Sequence, residues 1–204
     1  MRIPHYRRNF LALLGDYVAF SVAMTFVGST TVLPALAGYL TDSEVAVGLV
    51  STVSTGAWML PQLFFANMLT NKPRKKPYMM VGGVVSRPLH AIYGIALALG
   101  LYIYPSWALL LLYAVQIVFF MGDSLVSVAW FDVTAKAIPD ERRGRLFGLG
   151  QLGGGLVSIG AGALIAGLLG ENGPEFPYNF TVILMLASVS LLFSLTYELV
   201  FRHY

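Results

Sequence analysis

Cysteine is absent from the 204 residues, and charge is scarce: aspartate, glutamate, lysine and arginine together make up 11% of the chain. Without cysteine there is no disulfide and no thiolate metal site. A water-soluble domain usually carries about 25% charged residues. At 57% hydrophobic, this chain has too few polar groups to cover a soluble surface, so a lipid bilayer is its expected solvent. Histidine is nearly missing as well. His5, His90 and His203 are scattered without metal-ligand spacing, and no serine stands in a nucleophile-elbow context. No enzyme activity, metal or cofactor is expected. The formal charge of +3 is not read as affinity for nucleic acid, because its meaning lies in where the charges fall.

What the chain has in quantity is apolar length. A bilayer core of about 30 Å takes roughly 20 apolar helical residues. Six stretches reach that length, about 10–39, 45–69, 78–101, 105–135, 144–169 and 177–201. Each is expected to be a helix, because lipid offers the backbone no outside hydrogen-bond partner. The connections carry breakers: "TDSE" at 41–44, "NKPRKKP" at 71–77, "YPS" at 104–106, "IPDERRGR" at 138–145 and "GENGPEFP" at 170–177. The reading is a single all-α transmembrane domain over 1–204, with no soluble domain. The first span is too long for a cleavable signal peptide.

Lysine and arginine set the orientation. Arg2, Arg7, Arg8, Lys72, Arg74, Lys75, Lys76, Lys136, Arg142, Arg143, Arg145 and Arg202 all fall on one side of such a six-span path. The opposite connections hold only acids: Asp42, Glu44, Glu171 and Glu175. Both termini are therefore expected in the cytoplasm, and the host membrane is expected to be a prokaryotic plasma membrane. The thirteenth basic residue, Arg87, lies inside the third span beside Pro88 and His90.

Charges inside a bilayer cost several kcal/mol and normally face protein or water. Arg87 and His90 fall near mid-depth, Asp123 at a comparable level, Asp16 nearer the cytoplasmic side, and Asp132 close to the cytoplasmic end. Gln116, Asp123, Ser127, Trp130 and Thr134 share one face of the fourth span. The second span repeats the pattern with Ser51, Thr55, Trp58 and Gln62, and the first puts Asp16 and Thr30 on one face. Two readings of these stripes compete: they line a water-accessible cavity, or they hydrogen-bond between helices and hold the bundle. Arg87 carries the same contest. It is either a ligand or proton-relay group working with Asp123 or His90, or a structural charge neutralised by an acid such as Asp123. Pro88 loosens the helix at that point by removing a backbone donor.

The fifth span, "RGRLFGLGQLGGGLVSIGAGALIAG", is rich in glycine. Small residues let helix backbones approach closely, so a packing role is expected, with rocking or hinging as a further one. No strand precedes the run, so it is not a nucleotide-binding loop. "NFT" at 179–181 matches a glycosylation sequon but sits at a membrane edge.

Six spans with both ends inside, a short basic connection between the second and third, and "IPDERRGRLFGLGQLGGG" leading into the fifth together resemble half of a major facilitator superfamily transporter. The resemblance covers essentially the whole chain. It implies two inverted three-helix repeats within the half, and alternating access by rocking of two such halves. The family's glycine–aspartate–arginine–glycine–arginine-like signature corresponds to "ANMLTNKPRKKP" here. Arg74, Lys75 and Lys76 match its basic part, while Asn71 stands where the acid is expected. The glycine–proline pair typical of antiporters is missing from the fifth span.

The function this resemblance implies is secondary transport of a small solute, coupled to protons. Asp123 is the leading solute or proton site, Gln116, Trp130, Trp58, Gln62 and Asp16 supply cavity contacts, and Arg87 and His90 tune Asp123. Arg74, Lys75, Lys76, Asp132, Arg143 and Arg145 are expected to form a cytoplasmic latch, with Asp132 pairing Arg74, Arg143 or Arg145. The chain ends at "FRHY", where a full transporter would enter its central loop. Three arrangements follow: a half-transporter that homodimerises in parallel, a fragment of a twelve-helix protein, or a half that needs a different partner. The homodimer is preferred, since closed two-fold dimers are the commonest assembly. The rival from another class is a membrane assembly or sensor protein that does not transport.

Overall fold

The computed structural model describes residues 5–200, which leaves Arg2, Arg202 and His203 outside the described residues. It is helical, with no strand among the described residues: α1 Tyr6–Phe26, α2 Val32–Gly38, α3 Glu44–Thr70, α4 Lys76–Ser86, α5 Leu89–Ala98, α6 Pro105–Ala137, α7 Asp140–Leu169 and α8 Tyr178–Val200, with a 3-10 turn at Leu101–Ile103. Five segments are long and apolar enough to cross a membrane: Tyr6–Phe26, Lys76–Ala98, Pro105–Ala137, Asp140–Leu169 and Tyr178–Val200. The surface is apolar in keeping with that. Leu60, Leu63 and Leu99 are each 80% or more exposed, while Arg87, Asp16, Asp123 and Glu198 are buried. This inversion of the soluble pattern suits a membrane-embedded chain.

Two of the expected spans are not continuous helices. The stretch 10–39 breaks after Phe26 and resumes at Val32. The intervening "GSTT" combines glycine with hydroxyl side chains that compete for backbone groups, which is poor helix material. Thr30 consequently lies in this bend and is exposed, so it does not share a helical face with Asp16. The stretch 78–101 divides at Arg87 and Pro88 into α4 and α5 and ends in the 3-10 turn. Proline has no N–H to offer the preceding turn. Arg87 still donates its amide to the Gly83 carbonyl at 2.9 Å, and the Ala91 amide reaches the Ser188 hydroxyl of α8 at 2.8 Å. Both residues at the junction keep right-handed helical angles. The starts also move outward. α1 begins at Tyr6 rather than near 10, and α7 at Asp140 rather than 144. Asp140 and Glu141 occupy the first turn of α7, where negative charge complements the helix dipole.

The helices pack in an open arc. α1 lies between α7 and α8, α6 lies between α3 and α4, and α5 against α8 closes the back, whereas α1 and α6 touch only sparsely. A crevice therefore separates α1 from α6. At one end of the bundle α2 plugs the core, with Leu33 and Leu36 fully buried, and Tyr39 stacks on Phe176 with ring centroids 4.9 Å apart. At the other end the basic residues gather: Arg8 donates to the Val200 carbonyl and Lys76 to the Leu199 carbonyl.

Glycine sets the closest helix approach. A Cβ on Gly82 of α4 would stand 2.7 Å from the Gly122 carbonyl oxygen of α6 and 2.9 Å from Val126. Backbone cannot yield as a flexible side chain does, so Gly82→Val must push α4 off α6. We expect it to cost about 1–3 kcal/mol of stability, typical of forced overpacking, measured as a fall in the unfolding midpoint in detergent; an unchanged midpoint would show that the two helices are not held at this spacing. The glycines of α7 divide in two. Gly150, Gly153 and Gly154 pack on Tyr17, Val18 and Ser21 of α1, whereas Gly144, Gly148, Gly155, Gly160, Gly162 and Gly167 meet nothing within 4 Å. Close packing explains only the first group.

Candidate functional site: a buried charge cluster between α1 and α6

The α4–α5 junction aims Arg87 into the bundle, where it is 1% exposed. Its guanidinium donates to Asp123 of α6 at 2.9 Å, stands 3.8 Å from Glu198 of α8 and lies over the Phe20 ring of α1 at 5.1 Å. Three helices, α1, α6 and α8, thus converge on one side chain of the α4–α5 junction. Trp58 of α3 also approaches the Asp123 carboxylate. Asp16 belongs to the same crevice but has different partners. It accepts from the Trp130 indole N–H at 2.6 Å and from the Ser194 hydroxyl at 2.5 Å. Trp130 lies seven residues past Asp123, two turns along the same face of α6.

The crevice has a volume of about 310 Å³. α1 contributes Asp16, Tyr17, Phe20, Ser21 and Met24; α6 contributes Asp123, Val126, Ser127, Trp130 and Phe131; Arg87 and Glu198 complete the lining. Three carboxylates meet one guanidinium. Both Glu198 oxygens and the Arg87 Nε are buried without a hydrogen bond, which is unusual for buried polar atoms. Among the described residues no group of acids and histidines is arranged to hold a metal ion.

The remaining residues named from sequence lie elsewhere. His90 and Gln116 pair with each other, Nε2 to Nε2 at 3.3 Å, and His90 meets the Phe119 ring edge to face. Both are fully buried, and neither lines the crevice. Trp58 packs against the Phe119 and Phe120 cluster, and Gln62, half-buried one turn further on, also lies outside the crevice lining.

At the basic end, Asp132 pairs with Lys75 at 2.9 Å and Lys136 at 2.7 Å, not with Arg74, Arg143 or Arg145. The α4 start places Lys75 against the end of α6, while Arg143 turns back to Asp140 at 2.7 Å and to the Ile138 and Ala135 carbonyls. Arg74 and Arg145 are exposed. The Lys75–Asp132 pair therefore joins the second connection to α6, and Arg143 instead caps the α6–α7 turn.

Two members of the cluster were not found from sequence, Glu198 and Ser194. An acid in the last turn of an apolar helix reads as a group facing water. The available signal was its i+4 register with Ser194, which puts both on one face of α8. Comparison with models of known families, with characterised proteins and with solved structures finds no match.

Proposed function

We propose that the chain is a six-span half of a secondary transporter, similar to the major facilitator superfamily, that moves a small solute by alternating access. The observation that carries this reading is the charge cluster opening on the α1–α6 crevice. Ionisable groups in apolar helices are expensive, and they mark substrate or proton pathways. In this reading α3 is the sixth span. It is 27 residues long, about 40 Å at helical rise, and its polar stripe is what keeps it from the most apolar class.

The packing supports inverted repeats. If α1, α3 and α4–α5 are exchanged for α6, α7 and α8, the contact of α1 with α8 becomes that of α6 with α4, and α1 with α7 becomes α6 with α3. The α5–α8 contact maps onto itself. The basic end is cytoplasmic by the positive-inside rule. A second six-helix unit, a parallel second copy in this reading, closes the open side of the crevice and rocks against the first. Protons on the acids of the crevice supply the coupling.

The rival is a non-transporting membrane protein in which Arg87 staples α4–α5, α6 and α8 together; its support is the direct Arg87–Asp123 bond. Water access separates the two. The chain has no native cysteine, and Ser127 lines the crevice while Ser124 is fully buried. In membrane vesicles Ser127→Cys is expected to react with a membrane-impermeant thiol reagent and Ser124→Cys to stay protected. Equal protection of both sites favours the staple. Native mass spectrometry from nanodiscs tests the second copy: a dominant dimer supports it, and a monomer removes it.

A further inference from the structure

The crevice sets three carboxyl groups, Asp16, Asp123 and Glu198, around one guanidinium. Arg87 bonds Asp123, which leaves Asp16 with neutral donors only, Trp130 and Ser194. Glu198 is 3% exposed, stands 3.8 Å from Arg87 and has no hydrogen bond to either oxygen, yet it lines the cavity. In an apolar surround an unbalanced carboxylate is stable only with a proton or a cation beside it. Aromatic rings stand next to these acids. Tyr17 and Trp130 lie 6.3 Å apart, centroid to centroid, and Phe131 lines the same space. Ring faces attract cations, most strongly where water is excluded. The volume, about 310 Å³, falls at the small end of the range for small-molecule sites, about 300–1,000 Å³.

We infer that the crevice binds an organic cation, a protonated or quaternary amine, with its charge at Asp16 and Glu198 and its apolar body against Tyr17 and Trp130. The inference rests on the transport reading only for what the binding is for; the site itself is a matter of charge and shape. It explains why Arg87 bonds Asp123 directly, stands off Glu198 at 3.8 Å and gives Asp16 no hydrogen bond. It also explains why aromatic rings stand beside acids in the crevice lining.

The test uses the full chain in nanodiscs, with benzyltrimethylammonium as the probe and its neutral carbon isostere, neopentylbenzene, as the comparison. Binding is followed by calorimetry and corrected for empty nanodiscs. Saturable binding of the cation is expected, at least about tenfold tighter than the isostere, since one desolvated cation–ring contact alone is worth about that factor. Asp16→Asn is expected to weaken the cation at least about tenfold and leave the isostere unchanged. Equal binding of the two probes, no saturable binding of the cation, or an unaltered Asp16→Asn overturns the inference. The probe comparison needs no variant, so it decides the matter even if Asp16→Asn does not fold. Proteoliposome flux separates this inference from the transport reading. Charge-selective binding without cation flux keeps the site and removes transport. A water-accessible Ser127→Cys in a chain that binds no cation keeps the cavity and removes the ligand class.

Discussion

Arg87→Ala is expected to destabilise the protein by about 3–5 kcal/mol, the cost of removing one partner from a buried ion pair. Arg87 stands between two of the crevice acids. It bonds Asp123 at 2.9 Å and lies 3.8 Å from Glu198. Without it, Asp123 and Glu198 must each take up a proton, or α6 and α8 must part to admit water. The loss is not of attraction alone, since the guanidinium also fills space against Phe20. Asp123→Asn should be milder, because an amide still accepts from the guanidinium and Glu198 remains beside it. Arg87→Met combined with Asp123→Leu should recover part of the loss, as paired apolar replacement of buried ions often does. Reversible unfolding in detergent measures all three. If Arg87→Ala shifts stability by less than about 1 kcal/mol, as an exposed pair does, the crevice is wet enough to neutralise its own acids and Arg87 is no staple.

The apolar spans were legible because hydropathy alone marks a helix that lipid must surround. Five of them meet both length and hydropathy. The connections were legible too, apart from their edges: Asp140 and Glu141 looked like loop residues yet favour a helix start. The break at Phe26 was hidden because "GSTT" lies within an otherwise apolar run, and local backbone competition leaves no mark in an average over a span. At Pro88 a loosening was visible, since its cause is local and covalent, but the division of 78–101 into two helices was not.

The charge cluster was half legible for the same kind of reason. Equal depth suggested that Arg87 and Asp123 could meet, and they do at 2.9 Å. Depth says nothing about rotation, however, and the stripe on α6 contains both Asp123, which faces the crevice, and Gln116, which is buried against His90. The partner of Asp16 depends on how α1 lies against α8, a matter of which glycines and small residues touch. No single-helix pattern records it. Lys75 takes Asp132 for an equally geometric reason: the second connection is short, and α4 begins at the very next residue. Substitutions along the α1–α8 contact therefore test the site as directly as substitutions in the crevice.

Asp16→Ala is the sharpest of these, with an expected loss of about 2–4 kcal/mol. Its carboxylate accepts from the Trp130 indole at 2.6 Å and the Ser194 hydroxyl at 2.5 Å, so it ties α1 to α6 and α8 at once. A buried donor left without an acceptor costs about 1–3 kcal/mol. Ser194 has an escape, since a helical serine can turn its hydroxyl to a carbonyl one turn back, as Ser190 does with Leu186. The indole of Trp130 is 8% exposed and donates through one fixed N–H, so it bears most of the loss. Asp16→Asn keeps one acceptor oxygen but sets an NH₂ against the second donor, and about 1–2 kcal/mol is expected. The order Ala worse than Asn, read from unfolding midpoints with the Trp130→Phe background as control, is the decisive comparison. In that background the indole is already gone, and the two Asp16 variants should converge. If Asp16→Ala costs as much with Phe at 130 as with Trp, Asp16 does not hold α1 to α6 through this bond, and the wall of the crevice rests on α7 and α8 alone.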